Sequence, residues 1–401
     1  MPSLLISTAW DLVKVKPTKY STVTSKLRLT VSKKGLNNIS FSSIITFMNT
    51  SSKEFLFRYI NNASPSGSEE SGQKIWLDYI RPYVDDHFID IYGSVAAIIN
   101  PDKKFKVVIE AHSDQVSFRI TYIDKNGYIY VTKNGGADPV IAPSKSVNIF
   151  TQKGIVKGVF GWAATHVRQS NQNTPTIENI FIETGLSSKK EVLESGIDIG
   201  CVVTFADELQ MLNDIIVGPG LDNKVGGFMI AEVARLLKKH KEELPFALYI
   251  INSVQEETGK NGAVLMGNNI RPDIAIVTDV THDTQAPMYN KKLFGDISCG
   301  KGPVFSLAAS VHTKLVHLLM DTARENNIPF QRKAGSKGTG TDSDAFAYSD
   351  SGVAAALVAL PLKYMHTTVE CVHQNDVNNA IQLLLATLKK ITPEIDLKYF
   401  H

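Results

Sequence analysis

The stretch Val107-Val108-Ile109-Glu110-Ala111-His112-Ser113-Asp114 decides the fold. It is a short apolar run, rich in β-branched residues, that stops at polar side chains. Such a run predicts a buried strand, and the polar residues mark the end of that strand. Three similar runs follow along the chain: Phe246 to Val254, Asp273 to Val280 and Ala354 to Leu360. Between or after these runs, apolar residues recur at helical spacing in three segments: Gly226 to Lys241, Val311 to Asn326 and Val377 to Ile391.

This alternation of strands and helices predicts an α/β fold with a mostly parallel central sheet that helices cover on both faces. From Phe118 to about Asp207 the pattern changes to short strands separated by glycine and proline, for example Gly127-Tyr128-Ile129-Tyr130-Val131. We therefore expect a small all-β domain over residues 118–207. It would be inserted into a larger domain made of residues 48–117 and 208–401.

The first 47 residues differ from the rest in composition. They contain seven basic residues and one acidic residue, are rich in serine and threonine, and have no continuous apolar stretch typical of a secretory signal. We expect a basic N-terminal extension over residues 1–47. An organelle transit peptide, a disordered tail and a misassigned start codon, with Met48 as the true start, are all compatible with it.

The overall composition excludes several classes of protein. Hydrophobic residues make up 43% of the chain and charged residues 20%, the formal net charge is +2, and there are three cysteines. No apolar run is long enough to span a membrane, and no basic stripe suggests binding to nucleic acid. The few, widely spaced cysteines favour a reducing compartment. We expect a cytoplasmic protein that binds neither a membrane nor nucleic acid.

Polar residues follow the apolar runs at five places, which is where open α/β sheets form their sites. These residues are His112 and Asp114, Asp222, Glu256 and Glu257, Asp279, and His366. Histidine and carboxylate ligands without sulfur suit zinc, cobalt or manganese. Two such ions would polarise a peptide carbonyl and lower the pKa of a bridging water, while an uncoordinated glutamate would accept its proton. The sequence thus predicts a two-metal hydrolase.

Each of these residues also has a structural alternative. Asp222 could be an ordinary helix N-cap, and a Glu-Glu pair is usually a solvated surface pair. Ser66 with Glu69 three residues later predicts a capping box for a helix that ends at about Tyr83.

Other residues compete for the same chemistry. His282 is a rival ligand because it is close to Asp279 in the sequence, and His373 is a weaker candidate. The glycine-rich segment Gly335 to Gly340 lacks the ending of a phosphate-binding loop.

The ordered motifs resemble those of the tetrahedral (TET) metalloaminopeptidases, a family of glutamyl and deblocking aminopeptidases that have also been called cellulase M. The resemblance runs from about Lys53 to Ile391. It rests on Ser66-Gly67-Ser68-Glu69, Ala111-His112-Ser113-Asp114, Leu221-Asp222-Asn223, Gln255-Glu256-Glu257-Thr258-Gly259, Thr278-Asp279-Val280, Gly340-Thr341-Asp342 and Tyr364-Met365-His366.

The resemblance implies a zinc-peptidase-like fold and a role for each residue. Asp222 would bridge two divalent ions, zinc or cobalt, His112 and Asp279 would complete one ion's shell, and Glu257 and His366 the other's. Glu256 would be the general base, Asp114 would orient His112, and a cis peptide bond would join Asp222 to Asn223. The family also implies that the β domain is a PDZ-like dimerisation domain. Dimers would assemble into a dodecamer that cleaves N-terminal residues from short peptides.

Three positions depart from the family pattern, because Gln115, Lys224 and Lys363 stand where Glu, Arg and Arg are more common. None is an expected metal ligand. Other functions remain open at this point. A related two-metal amidohydrolase that deacylates amino acids would use the same residues, and a non-catalytic self-assembling scaffold could keep the fold. A glycoside hydrolase would need two carboxylates and no metal.

Overall fold

A computed structural model describes residues 48–168 and 174–401. The extension predicted for residues 1–47 lies outside the described residues. Within residues 48–168 and 174–401, no helix is long and apolar enough to cross a membrane.

The first strands of the chain run up to the end of the β-rich segment. They are β1 (Asp86–Ile89), β2 (Val95–Ile99), β3 (Lys106–His112), β4 (Ser117–Ile123), β5 (Ile129–Asn134), β6 (Ser146–Thr151), β7 (Gly154–Gly161), β8 (Phe181–Glu183) and β9 (Val202–Phe205).

The remaining strands alternate with helices. They are β10 (Gln210–Leu212), β11 (Ile215–Gly218), β12 (Ala247–Ser253), β13 (Ile274–His282), β14 (Val304–Leu307), β15 (Gln331–Ala334), β16 (Ala354–Leu362) and β17 (Glu370–His373).

The helices are α1 (Thr50–Asn61), α2 (Glu70–Ile80), α3 (Lys189–Glu194), α4 (Leu221–His240), α5 (Asn261–Ile270), α6 (Lys291–Phe294), α7 (Thr313–Glu325), α8 (Asp342–Ala347) and α9 (Gln374–Leu388). Short 3-10 turns cover Arg81–Tyr83 and Pro139–Ile141. The strands and helices predicted from the apolar runs are confirmed, with ends that differ by a few residues.

An eight-stranded sheet in the order β1-β2-β12-β3-β13-β16-β14-β15 forms the centre of the molecule. Its four middle strands, β12, β3, β13 and β16, pair in parallel. The pairings of β2 with β1 and β12, and of β14 with β16, are antiparallel. At one edge, β14 pairs with β15 in parallel. The α/β class is therefore confirmed, with a mixed sheet whose four central strands are parallel.

Apolar residues on the parallel strands alternate between two hydrophobic cores. On β13, Ile274 and Ile276 belong to one core, and Ala275 and Val277 belong to the other. Successive side chains of a strand point to opposite faces, so the two cores lie on opposite faces of the sheet. Helices α4, α7 and α9 supply apolar residues to the first core, and α5 and α8 supply them to the second. Helices thus cover both faces.

The strands β4 to β9 form a closed barrel in the order β4-β5-β8-β7-β6-β9. Phe118, Ile149 and Phe160 are among the buried residues of its separate core. The segment Ser117 to Phe205 therefore buries its own apolar side chains instead of extending the central sheet. A small third sheet has the strand order β10-β11-β17. Its strands β10 and β11 connect the barrel to the start of α4, and β17 follows β16 near the end of the chain.

Candidate active site

The candidate ligands meet at the carboxyl ends of the parallel strands. His112 is the last residue of β3 and pairs with Ser253, the last residue of β12. Glu256 and Glu257 follow directly after β12, and Asp279 lies near the end of β13. Because the carboxyl ends of neighbouring parallel strands lie at the same edge of a sheet, these side chains lie close together.

Two further candidates lie near this edge of the sheet, one on a helix and one in a loop. Asp222 lies in the first turn of α4, and His366 lies in the loop that follows β16. Asp222 and Asn223 have non-helical backbone angles at the start of α4. The two carboxylate oxygens of Asp222 face the rings of His112 and His366, and among the described residues no amide of α4 donates to them, so the side chain does not act as a helix cap. The peptide bond between Asp222 and Asn223 is cis, as predicted.

Two groups of side chains could each hold a metal ion, and they share Asp222. One consists of His112, Asp222 and Asp279, and the other of Asp222, Glu257 and His366. Within each group the potential ligand atoms lie within 4.8 Å of one another.

The interatomic distances show that Asp222 presents one oxygen to each histidine. Its Oδ1 lies 3.2 Å from Nε2 of His112, and its Oδ2 lies 3.4 Å from Nε2 of His366. The remaining carboxylates complete the two groups. Asp279 Oδ1 is 3.9 Å from Nε2 of His112, and Glu257 Oε2 is 3.4 Å from Nε2 of His366.

The chemistry of this donor set fits divalent cations. Burial raises the pKa values of Glu257 and Asp279 well above their usual range, and the neighbouring Asp222 carboxylate adds to the increase. Oε1 of Glu257 is buried and, among the described residues, has no hydrogen-bond partner. Crowded carboxylates with a free oxygen favour a bound positive charge, and nitrogen and oxygen donors suit zinc or cobalt.

Asp114 connects three parts of the site. Its Oδ1 lies 3.3 Å from Nδ1 of His112 and accepts a hydrogen bond of 2.9 Å from the Glu256 amide. Its Oδ2 accepts a hydrogen bond of 3.2 Å from the Glu257 amide. The fully buried Asp114 can therefore fix both the ring of His112 and the backbone of the two glutamates.

The capping box predicted at Ser66 and Glu69 is wrong. The hydroxyl of Ser66 donates to Oδ2 of Asp114 over 2.6 Å, and Oε1 of Glu69 accepts from the Gly67 amide over 2.7 Å. Helix α2 begins at Glu70 without a side-chain cap. Ser66 thus supports the site, because a buried carboxylate 48 positions away offers it a stronger hydrogen bond than a helix end.

Glu370 is a site residue that the sequence interpretation missed. It is 2% exposed, and its two oxygens accept hydrogen bonds from the amides of His366 (2.7 Å) and Asp222 (3.1 Å). One buried carboxylate therefore holds the backbones of the shared ligand and of one histidine. Its position at the start of β17, four residues after His366, is the only trace of this role in the sequence.

Glu256 lies beside both groups without belonging to either. Burial, followed by the nearby acidic residues, raises the pKa of its carboxyl group to about 7. Together with Asp279 and His366 it lines an open cleft of about 420 Å³. A carboxyl group with this pKa can accept and return a proton near neutral pH.

The competing candidates have other contacts. Nδ1 of His282 faces the Tyr289 hydroxyl at 3.3 Å, and His282 belongs to neither ligand group. The ring of His373 accepts from the Asn375 amide as the N-cap of α9. In the loop at Gly335 to Gly340, the amides of Thr339 and Gly340 donate to Asp344, so they do not form a phosphate cradle.

Two of the three departures from the family pattern contact each other. Nζ of the buried Lys224 donates to Oε1 of Gln115 (2.8 Å) and to the carbonyl oxygens of Ile60 (2.8 Å) and Asn62 (3.1 Å). The pair therefore packs the start of α4 against the end of α1. Lys363, the third, pairs through its backbone with Cys371.

Comparison with known proteins identifies relatives over most of the chain. The family model for the M42 glutamyl aminopeptidases matches residues 93–383. A lysyl aminopeptidase of Pyrococcus furiosus is 31% identical over 345 residues, which cover 85% of this chain and 97% of the relative.

Solved structures of TET peptidases resemble this one, and two of them match over most of both chains. A TET aminopeptidase from the archaeon Thaumarchaeota archaeon SCGC AB-539-E09 superposes with a TM-score of 0.81 at 26% identity, over 86% of this chain and 97% of that one. The TET1 peptidase of Pyrococcus horikoshii, which can assemble into a tetrahedron or a large octahedral shell, gives a TM-score of 0.74 at 27% identity, over 84% and 98%. The predicted resemblance is confirmed, and the chain belongs to the M42 glutamyl aminopeptidase family of metal-dependent hydrolases.

Proposed function

We propose that this protein is a two-metal aminopeptidase that removes N-terminal residues from short peptides. The observation that carries the proposal is the position of Asp222 between the two histidines, each of which has a carboxylate of its own. A single binding group would fit a one-metal site, either structural or catalytic. Two adjoining groups with a shared carboxylate support a hydrolytic pair of ions.

In this proposal His112 and Asp279 would hold one cation, Glu257 and His366 would hold the other, and both groups would share Asp222. Zinc or cobalt fits the donor set. Two bound divalent cations would polarise the scissile carbonyl and lower the pKa of a water molecule. Asp114 would keep the ring of His112 in place, and Glu370 would keep the backbones of Asp222 and His366 in place.

Glu256 would be the general base. Its carboxylate would take the proton of the attacking water and pass it to the leaving amine, which restores the ionised carboxylate. Its raised pKa and its position in the cleft, outside both ligand groups, support this role.

We also propose that the protein works as a homo-oligomer in the cytoplasm. The TET1 relative can assemble into a tetrahedron or a large octahedral shell, and a TET1 structure that contains a dodecamer also resembles this one. Both support an assembly of dimers into a dodecamer. The barrel would be the PDZ-like dimerisation domain implied by the family resemblance. Three free cysteines fit a reducing compartment. In such an assembly only short peptides would reach the active sites, and folded proteins would be excluded.

The proposal can be tested with EDTA-treated protein and a panel of aminoacyl-p-nitroanilides and short peptides, with zinc, cobalt or manganese added back. We expect metal-restored cleavage at the N-terminus and a loss of kcat by roughly 10²- to 10⁴-fold in Glu256→Gln. Binding of the metal should survive in that variant. Hydrolysis of N-acyl amino acids in place of peptides would contradict the proposal in favour of a deacylase. Assembly without any turnover would favour a scaffold.

A further inference from the structure

The cleft beside the candidate ligands contains two lysines, Lys260 and Lys333, and neither forms an ion pair with a described residue. Nζ of Lys333 donates a hydrogen bond of 2.7 Å to Oγ1 of Thr281, whereas the ammonium group of Lys260 has no hydrogen-bond partner among the described residues. Lys260 is half-buried, so its charge is partly removed from water. A partly buried ammonium group with three free donors is suited to bind an anionic group of a ligand.

The backbone holds Lys260 close to the proposed general base. The amides of Gly259 and Lys260 both donate to the carbonyl oxygen of Glu256 over 2.9 Å. Lys260 has a φ of 61°, in the left-handed region that residues other than glycine rarely adopt, and helix α5 begins at the next residue. The side chains of Glu256 and Lys260 therefore start from one turn of the chain, and both line the cleft.

The two lysines enter the cleft from different strands of the central sheet. Lys260 follows β12, as Glu256 does, whereas Lys333 lies on the edge strand β15. In the strand order, β3, β13, β16 and β14 separate β12 from β15. The potential ligands His112 and Asp279, on β3 and β13, thus lie between the two lysines. Lys260 is the cation on the side of the general base.

The chemistry proposed for Glu256 determines which part of a peptide lies on this side. Glu256 would pass a proton to the leaving amine, so this nitrogen must come within hydrogen-bond distance of its carboxylate. The nitrogen belongs to the second residue of the peptide. In a dipeptide the C-terminal carboxylate is bonded to the Cα atom of that same residue, so it lies beside the leaving nitrogen. The free ammonium group of Lys260 can reach a carboxylate at this position.

The charges that line the cleft also favour a carboxylate there. Two divalent cations would balance the four carboxylates, which are Asp222, Glu256, Glu257 and Asp279. His366 would bind its cation as a neutral imidazole, and burial lowers the pKa of His282, so neither histidine adds charge near neutral pH. The charges of Lys260 and Lys333 would then be uncompensated, and the carboxylate of a substrate would balance one of them.

We infer that Lys260 binds the C-terminal carboxylate of a dipeptide substrate, and that the enzyme therefore cleaves dipeptides better than dipeptide amides or longer peptides. This inference rests on the proposed aminopeptidase function and adds the length and the charged end of the preferred substrate. It is independent of the side chain of the first residue. In a longer peptide an uncharged amide takes the place of the carboxylate and forms a weaker hydrogen bond with Lys260.

The test uses metal-loaded full-length protein and four substrates that share one N-terminal residue, the one cleaved best as a p-nitroanilide. They are this p-nitroanilide, the dipeptide with alanine, the amide of that dipeptide, and the tripeptide with two alanines. We expect kcat/KM for the dipeptide to exceed that for its amide and for the tripeptide roughly 5- to 10-fold, mainly through KM, because these two lack the charged hydrogen bond. In Lys260→Met the dipeptide should lose this advantage. Cleavage of the p-nitroanilide, which has no carboxylate, should stay at the wild-type rate.

Two variants serve as controls. Lys241→Met replaces an exposed lysine that has the same left-handed backbone, with a φ of 53°, and should keep the advantage of the dipeptide. Lys333→Met should keep it as well, because β15 lies on the other side of the ligands. Loss of the advantage in Lys333→Met but not in Lys260→Met would overturn the assignment to Lys260. A dipeptide amide with glutamate as its second residue carries its carboxylate on a side chain, and cleavage of it as fast as the dipeptide would overturn the preference for a C-terminal carboxylate.

The outcomes separate the two proposals. Equal kcat/KM for the dipeptide and its amide in the wild type, or an unchanged advantage in Lys260→Met, would overturn the inference and leave the aminopeptidase function intact. Failure to cleave any of the substrates with zinc or cobalt bound would remove the proposed function itself, and the inference with it.

Discussion

The central sheet and the barrel contribute to the candidate site in different ways. Among the described residues, four of the five potential metal ligands lie on the central sheet or on the segments that follow its strands, the fifth, Asp222, lies at the start of α4, and none lies on the barrel. The barrel nevertheless touches the ligands. A Cβ atom at Gly136, in the loop after β5, would lie 2.6 Å from Nδ1 of His366. One at Gly135 would lie 3.1 Å from the carbonyl oxygen of Glu257.

The barrel also contacts residues that support the ligands. Arg119 and Asn134 donate to the carbonyl oxygen of Ser66 over 2.9 and 3.0 Å, and Ser66 donates to Asp114. Lys145 donates to the hydroxyl of Thr368, in the loop that carries His366, over 2.6 Å. The central sheet and its neighbouring segments thus carry the potential ligands, and the barrel contacts the residues that hold these ligands in place. We therefore expect variants of the ligands to have larger effects than variants of their supports.

The largest effect is expected from Asp222→Ala, which removes the carboxylate shared by both ligand groups. We expect both cations to bind much more weakly and kcat/KM to fall by roughly 10³-fold or more. Kinetics together with elemental analysis of the purified protein would measure this. Asp102→Ala changes an exposed aspartate and should behave as the wild type. Full activity of Asp222→Ala would exclude Asp222 as a bridging ligand.

A smaller effect is expected from Gly136→Ala, which would push a methyl group of the barrel against His366. Support of a ligand from outside the metal's shell is worth roughly 10- to 100-fold in metal affinity, so we expect a loss in that range. Competition with a chelator would measure it. Gly161→Ala is a matched control, because its Cβ would lie 2.8 Å from the ring of Phe181 within the barrel. Equal metal affinities of the two variants would show that the barrel does not position His366.

The smallest effect is expected from Ser66→Ala, which removes one donor from Asp114. A hydrogen bond to a charged group contributes about 1.5–3 kcal/mol, which corresponds to roughly 10- to 160-fold. Because Ser66 acts on the ligands only through Asp114, we expect kcat/KM to fall by roughly 10-fold, at the lower end of that range. Steady-state kinetics would detect this. Ser68→Ala is the control, because the exposed hydroxyl of Ser68 donates only to the Gly67 carbonyl. A loss of the same size in both variants would indicate a general disturbance of this loop.

The parts of the site that depend on local pattern were predictable from the sequence. Apolar runs fixed the strands, and polar residues after those runs indicated His112, Glu256, Glu257 and Asp279. The structure brings these together because parallel strands end at a common edge. The cis bond at Asp222 was expected only from the resemblance to a family.

The parts that depend on contacts distant in sequence were not predictable. Ser66 has the spacing of a helix cap, and only the folded chain shows that it meets Asp114. In the sequence, Glu370 looks like an ordinary strand residue. Only the structure shows that its carboxylate accepts a hydrogen bond from the Asp222 amide, 148 positions away. The packing of Gly136 on His366 requires the barrel to be in place. These residues carry no periodic signal because their partners belong to other elements.

The most direct test of the account is the number of divalent cations bound per chain. Metal-free protein titrated with zinc by calorimetry, and then analysed for zinc content after gel filtration, should bind two ions per chain, and Asp222→Ala should lose high-affinity binding of both. A single ion per chain in the wild type, with full aminopeptidase activity, would contradict a two-metal site in which both ions share Asp222.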